Sequence, residues 1–202
     1  MTDAPTAADG RTLTDRGAKT RARLLEAAEK CFAEAGYHDT SVVKITEAAG
    51  VAQGTFYLYF ASKKEIFDEL VRDLNRRIRH AMKEASSQGS TRLEAELLGF
   101  AAYFRFTGEH QALYRIIRQA EFVSPGTLHE HYDAIASGYV AALETAMDSG
   151  EVARMDPQIL AWALMGMGEM LGMRWIVWEG ARDVPADLVA EMQKLIVRVM
   201  GA

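Results

Sequence analysis

The chain has 202 residues, of which 49% are hydrophobic and 25% charged, a balance that excludes a disordered polypeptide and allows one or two compact domains. A single cysteine excludes an internal disulfide bond, and a net charge of −5 excludes a uniformly basic protein. Frequent Ala, Leu, Met, Glu and Arg, without alternating β-branched runs, predict an all-α fold of about nine helices.

Charge is unevenly distributed along the chain. Residues 11–64 hold nine Lys/Arg against six Asp/Glu, whereas residues 65–202 are net acidic. A weakly basic region followed by an acidic one indicates that the N-terminal part faces a polyanion. Because nothing at the N-terminus has the apolar core of a signal peptide, we expect a cytoplasmic protein.

One apolar segment, residues 159–178, is long enough to cross a bilayer. It contains Glu169 and Arg174, whose charges are costly in lipid, and no second segment is available to shield them. We therefore predict a buried helix here and no membrane partner.

The first 13 residues are small, polar and without pattern, which predicts a disordered arm. The first helix is predicted from Lys19 to Ala35, and Gly36 suits the left-handed conformation that ends a helix. Its apolar stripe is formed by Ala22, Leu25, Ala28 and Phe32.

Two short helices are predicted next. Thr40 and Ser41 offer side-chain oxygens that cap the second helix, which Gly50 ends after about two turns. A third short helix is predicted over residues 53–59. Two short helices joined by a tight glycine-containing turn form a helix-turn-helix motif.

The later helices are recognised from their ends. Ser62 and Glu65 form a capping box that opens a long fourth helix, which runs to about Ser86. The remaining boundaries are marked by Gly89 and Gly108, Ser124 with Pro125, Gly150, Asp156 with Pro157, and Pro185.

The helix-turn-helix region resembles the DNA-binding signature of the TetR family of transcriptional regulators over about residues 19–70. The matching residues are Thr40-Ser41-Val42, Ile45, Ala49-Gly50-Val51, Gly54-Thr55-Phe56-Tyr57, Tyr59-Phe60 and Ser62-Lys63. The resemblance implies a DNA-binding domain at residues 14–65 and a ligand-binding and dimerisation domain at residues 66–202. It further implies a homodimer that binds an inverted repeat in double-stranded DNA, most commonly as a repressor, and that pairs through its last two long helices, at about residues 157–179 and 185–200.

The physical chemistry of the motif predicts which residues meet the duplex. Gly54 removes a side chain where DNA comes close, Gln53 has an amide suited to adenine, and hydroxyl and ammonium groups hold phosphates. The predicted contact set is Thr40, Ser41, Gln53, Gly54, Thr55, Tyr57, Tyr59 and Lys63. The alternative for the tyrosines is half-buried packing. Ala52 cannot cap the third helix with a side-chain oxygen.

The acidic C-terminal region carries no nucleophile, metal-ligand or phosphate-loop motif, so we expect neither an enzyme nor a bound cofactor or metal. Its aromatic and methionine residues are typical of a helical core, yet the same residue types also line adaptable apolar pockets. The candidate ligand-binding residues are Phe100, Tyr103, Phe104, Tyr114, Arg118, Phe122, Tyr139, Trp162, Met165, Glu169 and Met173. They predict a small hydrophobic effector, and residues 119–143 loosely resemble members tied to fatty acyl or acyl-CoA metabolism.

Two other functions remain open at this point. A helical enzyme would use the region of His129, Glu169 and Arg174, although no catalytic constellation accompanies them. A protein-interaction module would keep the helix-turn-helix only as a scaffold. DNA binding and turnover assays separate these alternatives.

Overall fold

The structure, a computed structural model, describes residues 6–201, apart from the side chain of Leu113, and in this range it confirms the all-α fold with nine α-helices. Their bounds are α1 Asp15–Asp39, α2 Val42–Ala49, α3 Gln53–Phe56, α4 Lys63–Ser86, α5 Arg92–Glu109, α6 Ala112–Val123, α7 Pro125–Ser149, α8 Pro157–Gly172 and α9 Ala186–Met200. A π-helical segment, Met173–Trp178, directly follows α8. Residues 1–5 of the predicted arm lie outside the described range.

The chain forms two compact units. The first contains the described residues up to Leu74 together with Arg115–Leu128, and the second contains Asn75–Tyr114 and the described residues from His129 onward. The units are therefore interleaved along the sequence, whereas the predicted domains follow one another. The boundaries at residues 14–65 and 66–202 stay a prediction.

Helix α1 begins earlier than predicted because Thr14 caps it. The Thr14 hydroxyl oxygen accepts a hydrogen bond from the Gly17 amide at 3.2 Å, so the helix starts at Asp15 instead of Lys19. The predicted stripe is half right: Ala28 and Phe32 are buried, whereas Leu24 and Ala27 take the places predicted for Ala22 and Leu25.

Gly36 interrupts α1 as its position in the sequence predicted. Its φ of 80° lies in the region that glycine adopts without steric cost, and the chain then continues as a short turn to Asp39. From α6, the Gln119 side chain accepts a hydrogen bond from the Tyr37 amide at 2.6 Å and donates one to the Phe32 carbonyl at 3.3 Å. These bonds satisfy backbone groups that the interruption leaves unpaired.

The first unit has an aromatic core. The rings of Phe32 and Phe67 meet edge to face at 5.4 Å, and Tyr37 lies 5.1 Å from Phe67. Phe56 and Phe60, which flank the predicted DNA-facing Tyr57 and Tyr59, are also buried. This core fixes α1 and the start of α4, and it anchors both ends of the segment between residues 56 and 60.

The second unit is built around α5, which packs against α8, the π-helical segment and α9. Its core contains Phe100, Phe104, Leu143, Ala146, Met147, Val152, Leu160, Ala161, Leu164, Ile176, Val184, Met192, Ile196 and Met200. The predicted boundary at Gly108 falls one residue before the end of α5 at Glu109, and a Cβ at Gly108 would approach the Arg182 carbonyl oxygen to 1.8 Å. Close backbone packing therefore explains this glycine.

The apolar segment at residues 159–178 forms most of α8 and all of the π-helical segment. Ala161, Leu164 and Ile176 are buried in the core of the second unit. Within residues 6–201, no helix combines the length and apolar content that a membrane crossing requires.

Candidate nucleic-acid interface

Helix α2 is held at both ends. The Ser41 hydroxyl oxygen accepts the Lys44 amide at 3.1 Å, which caps the start of the helix as predicted. Gly50 ends it with a φ of 63°. The guanidinium of Arg23 in α1 donates to the carbonyl oxygens of Ala49 and Gly50, so a cation also binds the negative end of the α2 dipole.

Helix α3 is shorter than the predicted span of residues 53–59. It covers only Gln53–Phe56, and no side-chain hydrogen bond caps it at Ala52, in agreement with the prediction for that alanine. From Phe56 the backbone changes to tighter turn bonds, among them Tyr59 amide to Phe56 carbonyl at 2.9 Å. Burial of Phe56 and Phe60 directs the chain inward here, so a longer helix does not form.

The predicted DNA-facing residues of this segment lie at the surface. Gln53 and Gly54 are exposed, Tyr57 is 49% exposed, and Thr55 and Tyr59 are half-buried. The neighbouring Leu58, outside the predicted set, is 60% exposed although it is apolar. Together these six positions form a surface that we call the α3 face.

Gly54 is the informative residue on the α3 face. It does not adopt a positive φ, and a Cβ built at its position would meet no atom within 4 Å beyond its own helix and neighbours. The fold therefore requires glycine here neither for backbone conformation nor for packing. On this exposed face, the bare backbone at Gly54 allows another molecule to approach it closely.

Thr40 does not lie on this surface. It is 1% exposed, and its hydroxyl is hydrogen-bonded to the carbonyl oxygens of Gly36 at 2.7 Å and Cys31 at 3.0 Å. The hydroxyl thus satisfies backbone acceptors at the end of α1, and we leave its side chain out of the proposed contact set. Ser41, the next residue, is exposed.

The Lys63 side chain is half-buried, and its ammonium group is hydrogen-bonded within the protein. Its ammonium donates to the carbonyl oxygens of Tyr37 at 2.7 Å, Thr40 at 2.8 Å and His38 at 3.4 Å. Burial lowers the pKa of Lys63 from its usual value, and the nearby Asp39 carboxylate acts in the opposite direction. In this geometry the ammonium binds backbone carbonyls, and the phosphate contact stays a prediction.

The basic residues of α1 fall into two groups. Arg16 and Lys19, in its first turns, are exposed. Arg21 instead lies 3.3 Å from the Glu69 carboxylate, with its guanidinium 5.0 Å from the Phe60 ring centroid. Arg16 and Lys19 thus supply accessible positive charge near the start of α1, whereas Arg21 is engaged within the first unit.

In the second unit, the predicted ligand-binding residues include a chain of hydrogen-bonded tyrosines. The hydroxyls of Tyr103 and Tyr114 are hydrogen-bonded to each other, and Tyr114 donates to the Glu169 backbone carbonyl at 3.2 Å. Tyr132, which was outside the predicted set, donates to the Glu169 carboxylate at 2.8 Å. Burial raises the pKa of Tyr103 and Tyr114 above the usual range, so both phenols stay neutral.

The aromatic and methionine candidates are placed differently from one another. Phe100, Phe104 and Met173 are buried, as expected for core residues, Met165 is half-buried, and Trp162 is 46% exposed. A Cβ at Gly168 would approach the Phe100 ring to 2.7 Å, so this glycine permits the contact between α5 and α8.

Three further candidates have distinct surroundings. Arg118 and Phe122 belong to the first unit, and Phe122 is 82% exposed. Tyr139 is hydrogen-bonded to the buried carboxyl of Glu96, which also binds Arg92. Burial raises the pKa of Glu96, and Arg92 opposes that shift. Sequence reasoning missed Glu96, because an Arg and a Glu four residues apart are typical of exposed helices.

Comparison with known proteins gives a consistent family assignment. The family described as bacterial regulatory proteins, tetR family, matches residues 24–70. Over 190 residues, the chain is 32% identical to YdgC, an HTH-type transcriptional regulator of Bacillus subtilis, covering 92% of this chain and 94% of the relative. It is also 29% identical over 175 residues to the fatty acid metabolism regulator protein of Bacillus subtilis, covering 83% and 87%.

Solved structures show the same fold. The chain resembles Salmonella enterica GusR with a TM-score of 0.80 and 24% identity, covering 94% of this chain and 99% of that one. It resembles FadR from Bacillus subtilis, crystallised in complex with stearoyl-CoA, with a TM-score of 0.78 and 24% identity, covering 88% and 98%. These likenesses extend beyond the helix-turn-helix to nearly the whole chain.

Proposed function

We propose that this chain, which belongs to the TetR family of transcriptional regulators, is a homodimeric repressor that binds an inverted-repeat operator and is released from it by a small hydrophobic effector. Each chain supplies one helix-turn-helix, and the pair meets two successive major grooves. The single observation that carries the DNA-binding part is the bare backbone at Gly54 on an exposed α3 face.

The proposed duplex contacts follow from exposure and chemistry. Gln53 has an exposed amide suited to the edge of adenine, and Leu58 is an exposed apolar side chain suited to a thymine methyl group. Thr55, Tyr57, Tyr59 and Ser41 offer hydroxyls for phosphate oxygens. The exposed Arg16 and Lys19 add positive charge that makes the affinity depend on salt.

A second copy of the chain is the proposed partner of an apolar stripe on α8 and α9. On α8, Ile159, Trp162 and Met170 are 69%, 46% and 56% exposed, and Gly166 between them would place a Cβ in open space. On α9, Leu195 and Val199 are 49% and 43% exposed. The three- and four-residue spacings put each set on one side of its helix, as a helix-helix interface requires.

The proposed effector binds among the residues of the second unit and has an apolar chain with a neutral polar group. The neutral hydroxyls of Tyr103 and Tyr114 place uncharged polar groups beside a core that includes the apolar Phe100 and Phe104. Because these hydroxyls bind each other and the Glu169 carbonyl, a ligand carbonyl would have to replace one of these acceptors. Such surroundings suit an acyl thioester or a related carbonyl compound. The 29%-identical relative named as a fatty acid metabolism regulator, and the stearoyl-CoA bound by FadR, support an acyl or acyl-CoA ligand.

Release from DNA would be a shift between two populated states. An effector changes operator affinity only if it binds the two states differently, and a coupling free energy of about 1–3 kcal/mol gives a useful switch. Helix α4 has residues in both units, so its backbone connects the proposed effector and DNA sites.

DNA binding is tested by titrating the protein onto the DNA upstream of its own gene in a mobility-shift assay, with footprinting of the shifted complex. We expect a two-fold symmetric footprint and an affinity that falls steeply with salt. The exchange Gln53→Ala should weaken binding and relax the preference at one base pair in each half-site, whereas the control Lys194→Met on α9 should change neither. A chain that binds random DNA as well as this region would contradict the proposal.

Effector binding is tested with acyl-CoA esters of increasing chain length, with free coenzyme A as the control ligand. We expect the esters to raise the melting temperature and weaken operator binding together, and Tyr114→Phe to reduce both effects. Thermal stabilisation without any change in DNA affinity would rule out the sensing role.

A further inference from the structure

We propose that residues 6–12, which we call the N-terminal hairpin, form a second DNA-contacting element beside the α3 face, in which Arg11 binds a phosphate at the edge of the groove. The inference rests on the proposed DNA-binding function, because it extends the surface that meets the duplex. The sequence predicted a disordered arm before α1, whereas the part of that arm described by the structure is folded.

The N-terminal hairpin is closed by its own hydrogen bonds. Thr6 and Thr12 pair as an antiparallel bridge, and the Ala7 amide donates to the Arg11 carbonyl at 2.8 Å. The Gly10 amide donates to the Ala7 carbonyl at 2.9 Å, and its φ of 82° is one that glycine adopts without steric cost. The chain before α1 therefore has a defined turn.

One backbone hydrogen bond places the N-terminal hairpin beside the α3 face. The Ala8 amide donates to the Leu58 carbonyl oxygen at 3.0 Å, and both residues belong to the first unit. Because Arg11 pairs with Ala7, the residue before Ala8, its backbone lies about 5 Å from the strand that binds Leu58. A duplex that meets Leu58 therefore comes within reach of the long Arg11 side chain.

The N-terminal hairpin leaves the α3 face open. Its bond uses the backbone of Leu58, whose side chain stays 60% exposed. Gln53 and Gly54 are exposed, and Tyr57 is 49% exposed, with the hairpin in place. A hairpin that blocked DNA binding would bury these residues, so the arrangement favours one that extends the surface.

Arg11 has the chemistry and the exposure of a phosphate ligand. Its side chain is 81% exposed, and its Nε donates to the Asp9 carboxylate at 2.7 Å. An exposed ion pair contributes little to stability, whereas a guanidinium binds phosphate oxygens through two parallel hydrogen bonds. Asp9 opposes the contact, because its carboxylate competes for Arg11 and repels phosphate. The two residues should therefore affect DNA affinity in opposite directions.

The first experiment measures operator affinity at several salt concentrations for the wild-type protein, Arg11→Met and Asp9→Asn. Loss of one phosphate contact should weaken binding about threefold or more and make the slope of log K against log salt shallower by about 0.9 per chain. Asp9→Asn should bind more tightly than wild type. The melting temperature should stay unchanged, since both residues precede the Thr14 cap of α1.

A matched control is the ion pair of Arg154 with Asp148 in the second unit. It has a separation of 3.0 Å and side chains that are 76% and 72% exposed. Arg154→Met and Asp148→Asn should leave affinity and slope unchanged. If Arg11→Met keeps the affinity and slope of wild type, the role of the hairpin is overturned, whereas a wild-type protein that binds no operator at low salt overturns the proposed function itself.

The second experiment tests whether the bond to Leu58 places Arg11. Ala8→Pro removes the amide that binds Leu58 but keeps the guanidinium, so it should weaken binding as Arg11→Met does. The double variant should then bind no more weakly than the weaker single variant, because both changes remove one contact. Additive losses, or tighter binding by Ala8→Pro, would contradict the proposal, and the latter would show that the hairpin obstructs the duplex.

Discussion

Gly54 lies in a helix, and a methyl group added there would meet no atom within 4 Å beyond its own helix and chain neighbours, so the fold should not change. The missing close neighbour and the absence of a positive φ both predict that Gly54→Ala folds normally. Because alanine costs less backbone entropy than glycine, the free energy of unfolding should be unchanged or raised by up to about 1 kcal/mol. Operator affinity should nevertheless fall about tenfold or more, since the added methyl group meets the duplex.

Gly138→Ala is the matched control for this exchange. Gly138 also lies in a helix, α7, and a Cβ there meets nothing within 4 Å. Chemical denaturation should show a similar or larger gain in stability for this variant, and the mobility-shift assay should show unchanged DNA affinity. If Gly54→Ala binds the operator as tightly as wild type, the α3 face is not the surface that contacts DNA.

His131 provides a prediction about pH. It is 8% exposed, and its Nδ1 lies 2.9 Å from the Asn75 amide nitrogen, which also donates to the His131 carbonyl at 3.0 Å. Burial lowers the pKa of His131 from 6.5 to about 4, and the charge of Arg79 adds to the shift. Between these two values the unfolded chain binds the proton more strongly than the folded one, so stability is complete above about pH 6.5 and is lost as the pH falls towards 4.

The size of the pKa shift sets the stability that is lost at low pH, and one substitution at His131 serves as the control. A shift of this size corresponds to about 3 kcal/mol at most. His131→Gln keeps a side chain that can accept from Asn75 but cannot be protonated, so its unfolding free energy should vary less between pH 6.5 and 4. Equal pH dependence of wild type and variant, measured by urea denaturation, would contradict the assignment.

The residue types of the DNA-binding surface could be predicted from the sequence, but their individual partners could not. Gln53, Gly54 and Tyr57 were predicted to face outward and are exposed. Thr40 and Lys63 have the same polar character, yet their groups bind backbone carbonyls near the end of α1. A hydroxyl or ammonium suits a phosphate and a carbonyl equally, and only the three-dimensional placement distinguishes the two.

Gly168 in α8 lies against a core side chain of α5, so replacing it tests how closely the two helices pack. A Cβ at Gly168 would come within 2.7 Å of the Phe100 ring, whose position in the core gives it little freedom to move. Gly168→Ala should therefore lower the free energy of unfolding by about 1–3 kcal/mol through overpacking between α5 and α8. Gly138→Ala on α7 again serves as the control, because its added methyl group meets no neighbour. Equal stability of the two variants in urea denaturation would show that α5 and α8 do not approach this closely.

Some helix ends with a capping residue could be predicted, although the Thr14 cap of α1 was missed. Ser41, Gly50 and Gly150 lie where the sequence placed the ends of α2 and α7. The short span of α3 and the π-helical segment Met173–Trp178 were not predicted. In both, the change in hydrogen bonding depends on tertiary packing, which a periodic pattern of apolar residues does not report.

The sequence also did not predict that most of α6, from Arg115 onward, belongs to the first unit. Residues Arg115–Leu128 group with the N-terminal residues, since Gln119 binds the backbone of Phe32 and Tyr37, and Lys64 donates to the Ser124 hydroxyl at 2.8 Å. These partners are 60 or more residues apart in the chain. Local patterns predict helices and their ends, whereas such distant polar pairs carry no local signal.

The exposed apolar stripe on α8 and α9 predicts how the chain assembles. If the apolar stripe on α8 and α9 is covered by a second copy, the double exchange Ile159→Glu and Leu195→Glu would bury two uncompensated charges per chain, which costs several kcal/mol. Sedimentation should then show monomers, and operator affinity should fall strongly, because one chain occupies only one half-site. Leu98→Glu, at a 38% exposed position of α5, should leave the dimer intact. A dimer that survives the double exchange would place the interface elsewhere on the chain.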